Sequence, residues 1–171
     1  MGNLTSREAL VLRWAEVIND PVLRDLPYKI ELNAFGKIEM SPASTRHGRI
    51  QALIAAQLEN QLKNGGTVTE CAISTSEGIR VPDVIWASAS FLEQHLDSSP
   101  LPQAPEICVD ISSPSNADEE MEMKTRAYLQ AGAKEVWIVS EDGEVAVFDH
   151  GGKRARSAYA VTLSLPPGPK G

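Results

Sequence analysis

Asp83, Asp110 and Lys124 are the residues of this chain whose types and spacing could do chemistry together. Asp83 sits in Ile79-Arg80-Val81-Pro82-Asp83-Val84-Ile85-Trp86, where the two-residue period of a strand puts it beside Ile79, Val81 and Ile85. A carboxylate on an apolar face costs free energy unless it is paired or bound to a cation. Pro82 removes a ladder donor, so this strand is expected to be irregular or at an edge, as strands next to active sites often are. The ordinary alternative is a Pro-Asp turn with a solvated carboxylate. Asp110 sits in Glu106-Ile107-Cys108-Val109-Asp110-Ile111-Ser112, with Ile107, Val109 and Ile111 on one face and Glu106, Cys108, Asp110 and Ser112 on the other. Near a strand end it can enter a cleft, or cap the next loop through Ser112, Ser113 or Ser115. Lys124 follows on a helical stripe with Met121, Tyr128 and Gly132, and an i to i+4 pair with Glu120 is its plain alternative.

Two carboxylates on neighbouring strands plus a lysine from the following helix meet the needs of metal-assisted phosphodiester hydrolysis. The acids would hold a hard Mg²⁺, with Mn²⁺ as a substitute, that polarises the phosphate and lowers the pKa of water. The ammonium would orient that water and screen developing charge.

The positioning elements follow from periodicity. Residues 6–18 place Leu10, Trp14 and Val17 on one face, which predicts an amphipathic N-terminal helix over a sheet. Thr5 and Glu8 suggest a capping box there. Lys29 to Met40 alternates around Asn33-Ala34-Phe35-Gly36, a hairpin pattern. From Thr45 to Lys63 a helix carries Ile50, Leu53, Ile54 and Leu58, with Gly65-Gly66 as its stop. His47, Gln57 and Gln61 lie near that stripe and predict a polar cleft along it. Strands are expected at 67–74, 79–86, 106–112, 135–140 and 145–148, with helices at 88–95 and 117–131. The prolines of 166–169 predict a frayed end. The order helix, strand, strand, strand, helix, strand predicts an α/β (α+β) fold, a mixed sheet flanked by helices.

With 171 residues, 42% of them hydrophobic, the chain can build one domain with a proper core. Cys71 and Cys108 have no partners at zinc-ligand spacing. No apolar stretch suits a signal peptide or a membrane span, so a cytoplasmic location is expected. Met1–Ser6 fits a myristoylation pattern and Asn3-Leu4-Thr5 a glycosylation sequon, but both are too short to weigh against a helix start. The net charge of −7 argues against a surface coated for nonspecific nucleic-acid binding. The charge is uneven, because 151–171 holds Lys153, Arg154, Arg156 and Lys170 with no acid, so any phosphate-binding surface must be local.

In order and spacing the motifs resemble the Uma-two restriction-endonuclease family of the PD-(D/E)XK nuclease superfamily. The resemblance runs over residues 28–150 through Ile30-Glu31-Leu32, Met40-Ser41-Pro42, His47-Gly48, Pro82-Asp83-Val84, Val109-Asp110-Ile111-Ser112-Ser113-Pro114-Ser115, Lys124…Tyr128 and Glu135-Val136-Trp137. It implies a restriction-endonuclease-like core at 28–150, after a helical extension at 1–27 and before a basic tail at 151–171. It also implies a Mg²⁺ site at Asp83 and Asp110, and DNA as the partner. Glu31 and His47 match further polar positions of the pattern; a surface strand acid and a helix-start histidine are their plain alternatives. Asp110 stands where the family more often has Glu, which shortens the reach. Ser112 stands where the superfamily usually has its lysine, a role the resemblance transfers to Lys124. The implied activity is Mg²⁺-dependent DNA endonuclease. A noncatalytic nuclease-fold binding module and a small-phosphoester hydrolase are the alternatives, and cutting two strands would be simplest for a homodimer.

Overall fold

The computed structural model describes residues 4–114 and 116–169, so the Asn3 sequon, the Met1–Ser6 pattern, Ser115 and Lys170 fall wholly or partly outside it. The chain runs α1 (Arg7–Asn19), α2 (Pro21–Arg24), β1 (Tyr28–Leu32), β2 (Ile38–Pro42), α3 (Thr45–Gln61), β3 (Gly65–Thr69), β4 (Ile73–Thr75) and β5 (Gly78–Arg80). It continues through β6 (Val84–Ser88), α4 (Ala89–His95), β7 (Ile107–Ser112), α5 (Asp118–Gln130), β8 (Glu135–Ser140), β9 (Val145–Asp149) and β10 (Gly152–Arg154). Among the described residues, no helix is long and apolar enough to cross a membrane.

Two sheets form where one is expected. A four-stranded sheet has the order β2-β1-β5-β4, and a six-stranded sheet has the order β10-β9-β8-β7-β6-β3. The expected strands at 67–74 and 79–86 are each cut in two, one half per sheet. Pro82, lacking an N–H, cannot continue the β5 ladder, and the chain crosses to the second sheet at Val81–Asp83. On the facing strand Glu70 takes a left-handed conformation with φ 51°, and its N–H donates to the Asp83 carbonyl at 3.1 Å. Gly65 and Gly66 open β3 rather than stopping α3. At Gly65 a Cβ would collide with the Trp86 ring and the Ala87 carbonyl, so glycine lets β3 pair closely with β6.

The larger sheet is covered on both faces, as the alternation in β7 requires. Ile107, Val109 and Ile111 pack with Ile50, Ile54 and Leu58 of α3. Cys108 on the other face packs with Val136 and with Tyr128 of α5. β7, α5 and β8 form a parallel strand-helix-strand unit, and the remaining pairings of this sheet are antiparallel. Leu10, Trp14 and Val17 of α1 bury against Leu32 and Ile79 of the smaller sheet and Val81 of the crossing. The cap of α1 is Ser6, whose Oγ accepts from the Ala9 N–H at 3.2 Å, and not Thr5. Thr5 is occupied otherwise, its N–H donating to the Ala34 carbonyl at 3.0 Å in the hairpin turn.

Residues 157–165 pack back on the core, and within the proline run expected to fray the Pro167 carbonyl accepts from the Arg46 guanidinium at 3.1 Å. Tyr159, Val161, Leu163 and Leu165 pack against the α3 side of the core. Gln57 donates to the Ser164 carbonyl at 2.9 Å and accepts from the Ser164 N–H at 2.7 Å. Gln61 does the same with Thr162, at 3.0 and 3.2 Å. These two glutamines therefore hold a strap and do not line a cleft. The buried Glu135 carboxylate anchors the strap's start, accepting from Ser157 Oγ at 2.7 Å, the Ala158 N–H at 2.7 Å and Trp137 Nε1 at 2.8 Å.

Candidate active site

The sheet crossing at Pro82 and the β6–β7 register together bring the two aspartates face to face. Val84 pairs with Val109 in the antiparallel register, so Asp83 and Asp110, one residue further on each strand, lie opposite one another. Both are buried, at 1% exposure. Asp83 Oδ2 accepts from the Ile111 N–H at 2.7 Å, which locks the carboxylate to the end of β7. Asp83 Oδ1 faces His47 Nε2 at 3.0 Å and the Lys29 ammonium at 3.0 Å. His47 is delivered by the first turn of α3, where Ser44 Oγ caps the His47 N–H at 3.0 Å.

Asp110 lies on the face that strand alternation sets apart from Ile107, Val109 and Ile111, and α5 covers that face. Its Oδ2 accepts from the Tyr128 hydroxyl at 3.0 Å, and its Oδ1 lies 3.5 Å from Lys29 Nζ. Lys124, one turn before Tyr128 on α5, is buried and reaches across to β1, donating to Glu31 Oε1 at 2.7 Å. Glu120 is a more distant neighbour of that ammonium, at 3.8 Å. Glu31 Oε2 accepts from the Val81 N–H at 2.8 Å, a donor diverted from the ladder just before Pro82. Glu31 thereby ties β1, α5 and the crossing segment together.

All five residues singled out from the sequence, Asp83, Asp110, Lys124, Glu31 and His47, thus join one cluster. Two members escape the sequence reading. Lys29 shares a face with Glu31 two residues on, and that period-2 relation is the available signal. Tyr128 falls on the Lys124 stripe, but its spacing alone assigns it no role. The cluster borders a cleft of about 500 Å³ whose lining includes Lys29, Ser44, His47, Asp110, Lys124 and Glu141.

Burial is the largest single influence on each carboxylate and ammonium of the cluster, and the neighbours outweigh it everywhere but at Asp110. Burial works to raise Asp83, but the His47 hydrogen bond and Lys29 outweigh it and hold this carboxyl well below its usual range. At Asp110 burial wins with the help of the Asp83 and Glu31 charges, over the pull of Lys124 and Lys29, and the carboxyl is pushed up. Burial likewise opposes the Glu31 charge, but Lys124 and then Lys29 overcome it and hold the carboxyl down. Against burial, both ammoniums are held above their usual value: Lys29 by Asp110, Asp83 and Glu31, and Lys124 by Asp110 and Glu31. The hydrogen bond to Asp83 raises His47.

These donors suit a hard divalent cation. Asp83 Oδ1 and Asp110 Oδ1 already converge on one positive group, Lys29 Nζ, which also donates to the Val81 carbonyl at 2.9 Å. Among the described residues no group of three or more His, Cys, Asp or Glu side chains could hold a metal. A Mg²⁺-type ion, which keeps several waters and takes one or two carboxylates plus phosphate oxygens, fits two aspartates; a fully protein-caged ion does not.

Among curated proteins none matches the chain. A crystal structure of a putative nuclease belonging to DUF820 from Anabaena variabilis aligns with a TM-score of 0.59 at 17% identity, covering 77% of this chain and 83% of that one. At that identity the likeness establishes a shared nuclease-like fold. The family model described as "putative restriction endonuclease" matches residues 20–169, a span that holds the whole Asp83, Asp110 and Lys124 cluster. The chain belongs to this family, Uma2.

Proposed function

We propose that this nuclease-fold protein is a divalent-metal-dependent endonuclease that hydrolyses DNA phosphodiester bonds in the cleft bordered by Asp83 and Asp110. The observation that carries the reading is the convergence of the two aspartate Oδ1 atoms on one cation position, with a second ammonium, Lys124, held beside it by Glu31. A Mg²⁺ or Mn²⁺ ion held by Asp83 and Asp110 would supply positive charge to the phosphate and activate water. Tyr128 and the Ile111 N–H fix the two carboxylates, so little reorganisation is needed when charge develops. Glu31 holds Lys124 at the cleft wall, where its ammonium can orient a water or take a phosphate oxygen. His47 is held by Asp83 through Nε2 in the same cleft, and in the protonated form that Asp83 favours it would add positive charge beside a bound phosphate.

One observation favours a second reading, a nuclease fold kept as a binding module: Lys29 already neutralises the carboxylate pair. Incubating the protein with supercoiled plasmid and Mg²⁺ or Mn²⁺, with and without EDTA, separates the two. Metal-dependent nicking supports the endonuclease. Intact plasmid at every metal concentration supports the module. Cleavage of a small phosphodiester with no action on plasmid would point to a different substrate.

A further inference from the structure

Lys29 is the group in the cluster that the endonuclease reading leaves without work, and its surroundings resemble those of an ion. Its Nζ has three oxygen neighbours: the Val81 carbonyl at 2.9 Å, Asp83 Oδ1 at 3.0 Å and Asp110 Oδ1 at 3.5 Å. Two of these are the carboxylate oxygens a divalent ion would need. An ammonium and a divalent cation cannot both sit against the same two buried oxygens, because they repel each other and compete for the same lone pairs. The Lys29 side chain is 12% exposed and lines the cleft, so it has an exit, and a flexible four-carbon stem allows it to swing outward.

We propose that the Lys29 ammonium is a built-in occupant of the cation position, and that divalent-metal binding proceeds by displacing it. This rests on the endonuclease reading for the identity of the site, and it adds a gate to it. Without metal, Lys29 keeps two facing carboxylates compatible in a buried place, which accounts for a lysine at a position where a strand residue needs no charge. With metal, the ion takes over that compensation. The weak metal affinity that follows is a property of this chain's β1 and not of its aspartates.

The test measures metal binding directly. Mn²⁺ is titrated calorimetrically into the full chain as wild type, Lys29→Met and Lys29→Arg, with circular dichroism to check the fold. Lys29→Met is expected to bind Mn²⁺ at least tenfold more tightly than wild type, and Lys29→Arg, which keeps the charge, to stay within about threefold. Should Lys29→Met not fold, Lys29→Gln replaces it. The wild type alone provides an independent readout: with ¹⁵N-lysine labelling, the Lys29 Nζ resonance should be protected from solvent exchange without metal and lose that protection on Mg²⁺ addition. Tighter binding in Lys29→Met supports the gate even if neither protein nicks plasmid, which would sink only the endonuclease reading. Equal or weaker binding overturns the gate, and nicking by wild type would then leave the endonuclease reading standing. No binding by either protein overturns both, whereas a Lys29 resonance that ignores saturating Mg²⁺ overturns the gate alone.

Discussion

The buried Lys124–Glu31 pair lets the structural and chemical roles of Lys124 be separated. The two groups meet at 2.7 Å with side chains 4% and 3% exposed, so solvent screens the contact little. Removing one partner of such a pair costs about 3–5 kcal/mol, because the other charge is left buried. Lys124→Met should fall at the low end, about 3 kcal/mol, since Glu31 keeps the Val81 N–H and lies near Lys29. Glu31→Gln should cost more, because its amide NH₂ would face the ammonium donor to donor. For a chain of this length each kcal/mol moves Tm by about 2–4 °C, so the single variants should melt about 6–20 °C lower. The double variant Glu31→Gln/Lys124→Met leaves a neutral, similarly shaped pair, and the introduced amide oxygen can still accept from the Val81 N–H. Replacing both partners of a buried pair by neutral groups of similar shape is often close to neutral, so the double variant should regain most of the stability that the single variants lose. Thermal melts of the four proteins give the cycle, and plasmid nicking below the lowest Tm gives the activity. The double variant should be stable and inactive. If it nicked plasmid like wild type, Lys124 would be merely structural; if each single variant cost under about 1 kcal/mol, the pair would not be the buried contact described.

Other expectations follow from the same contacts. Glu31 is held below its ordinary range by Lys124 and Lys29, so its stabilisation is present above the unfolded value of about 4.3 and is lost as pH falls through the lower folded value. Glu31→Gln should therefore flatten the acid limb of a Tm-against-pH curve, and an unchanged limb would contradict this. Gln57→Ala/Gln61→Ala removes four hydrogen bonds to the strap backbone and should cost about 2–4 kcal/mol, with faster hydrogen exchange at Thr162 and Ser164. Unchanged protection of those two amides would mean that packing of Tyr159, Val161, Leu163 and Leu165 holds the strap by itself.

Much of the site is legible in the sequence because strand alternation and element order are local properties. The period of β7 puts Asp110 on the face away from Ile107, Val109 and Ile111, and that is the face α5 covers. The irregularity at Pro82 is readable, but its consequence is not: a proline says that a ladder ends, not that the chain joins another sheet. Lys29 escapes for a related reason. A lysine on a strand ordinarily reads as surface charge, and only the tertiary approach of the Val81–Asp83 crossing, with two oxygens, and of Asp110 on β7, with the third, surrounds this one with buried acceptors. The need of Gln57 and Gln61 for partners along the α3 stripe is legible too. Sequence does not say that those partners are the backbone of Ser164 and Thr162, far along the chain, since any amide group satisfies a glutamine equally well.

The most direct test of the central claim is plasmid nicking by Asp83→Asn against wild type, in Mg²⁺ or Mn²⁺, at a temperature where circular dichroism shows both folded. Asparagine retains an acceptor for the Ile111 N–H but removes the charge that a cation and His47 require. Expected is EDTA-sensitive conversion of supercoiled to nicked plasmid by wild type, and a loss of roughly a hundredfold or more, on the order of 3 kcal/mol of barrier, in the variant. Nicking that survives Asp83→Asn undiminished, or a wild type that leaves plasmid intact at every metal concentration, would contradict it.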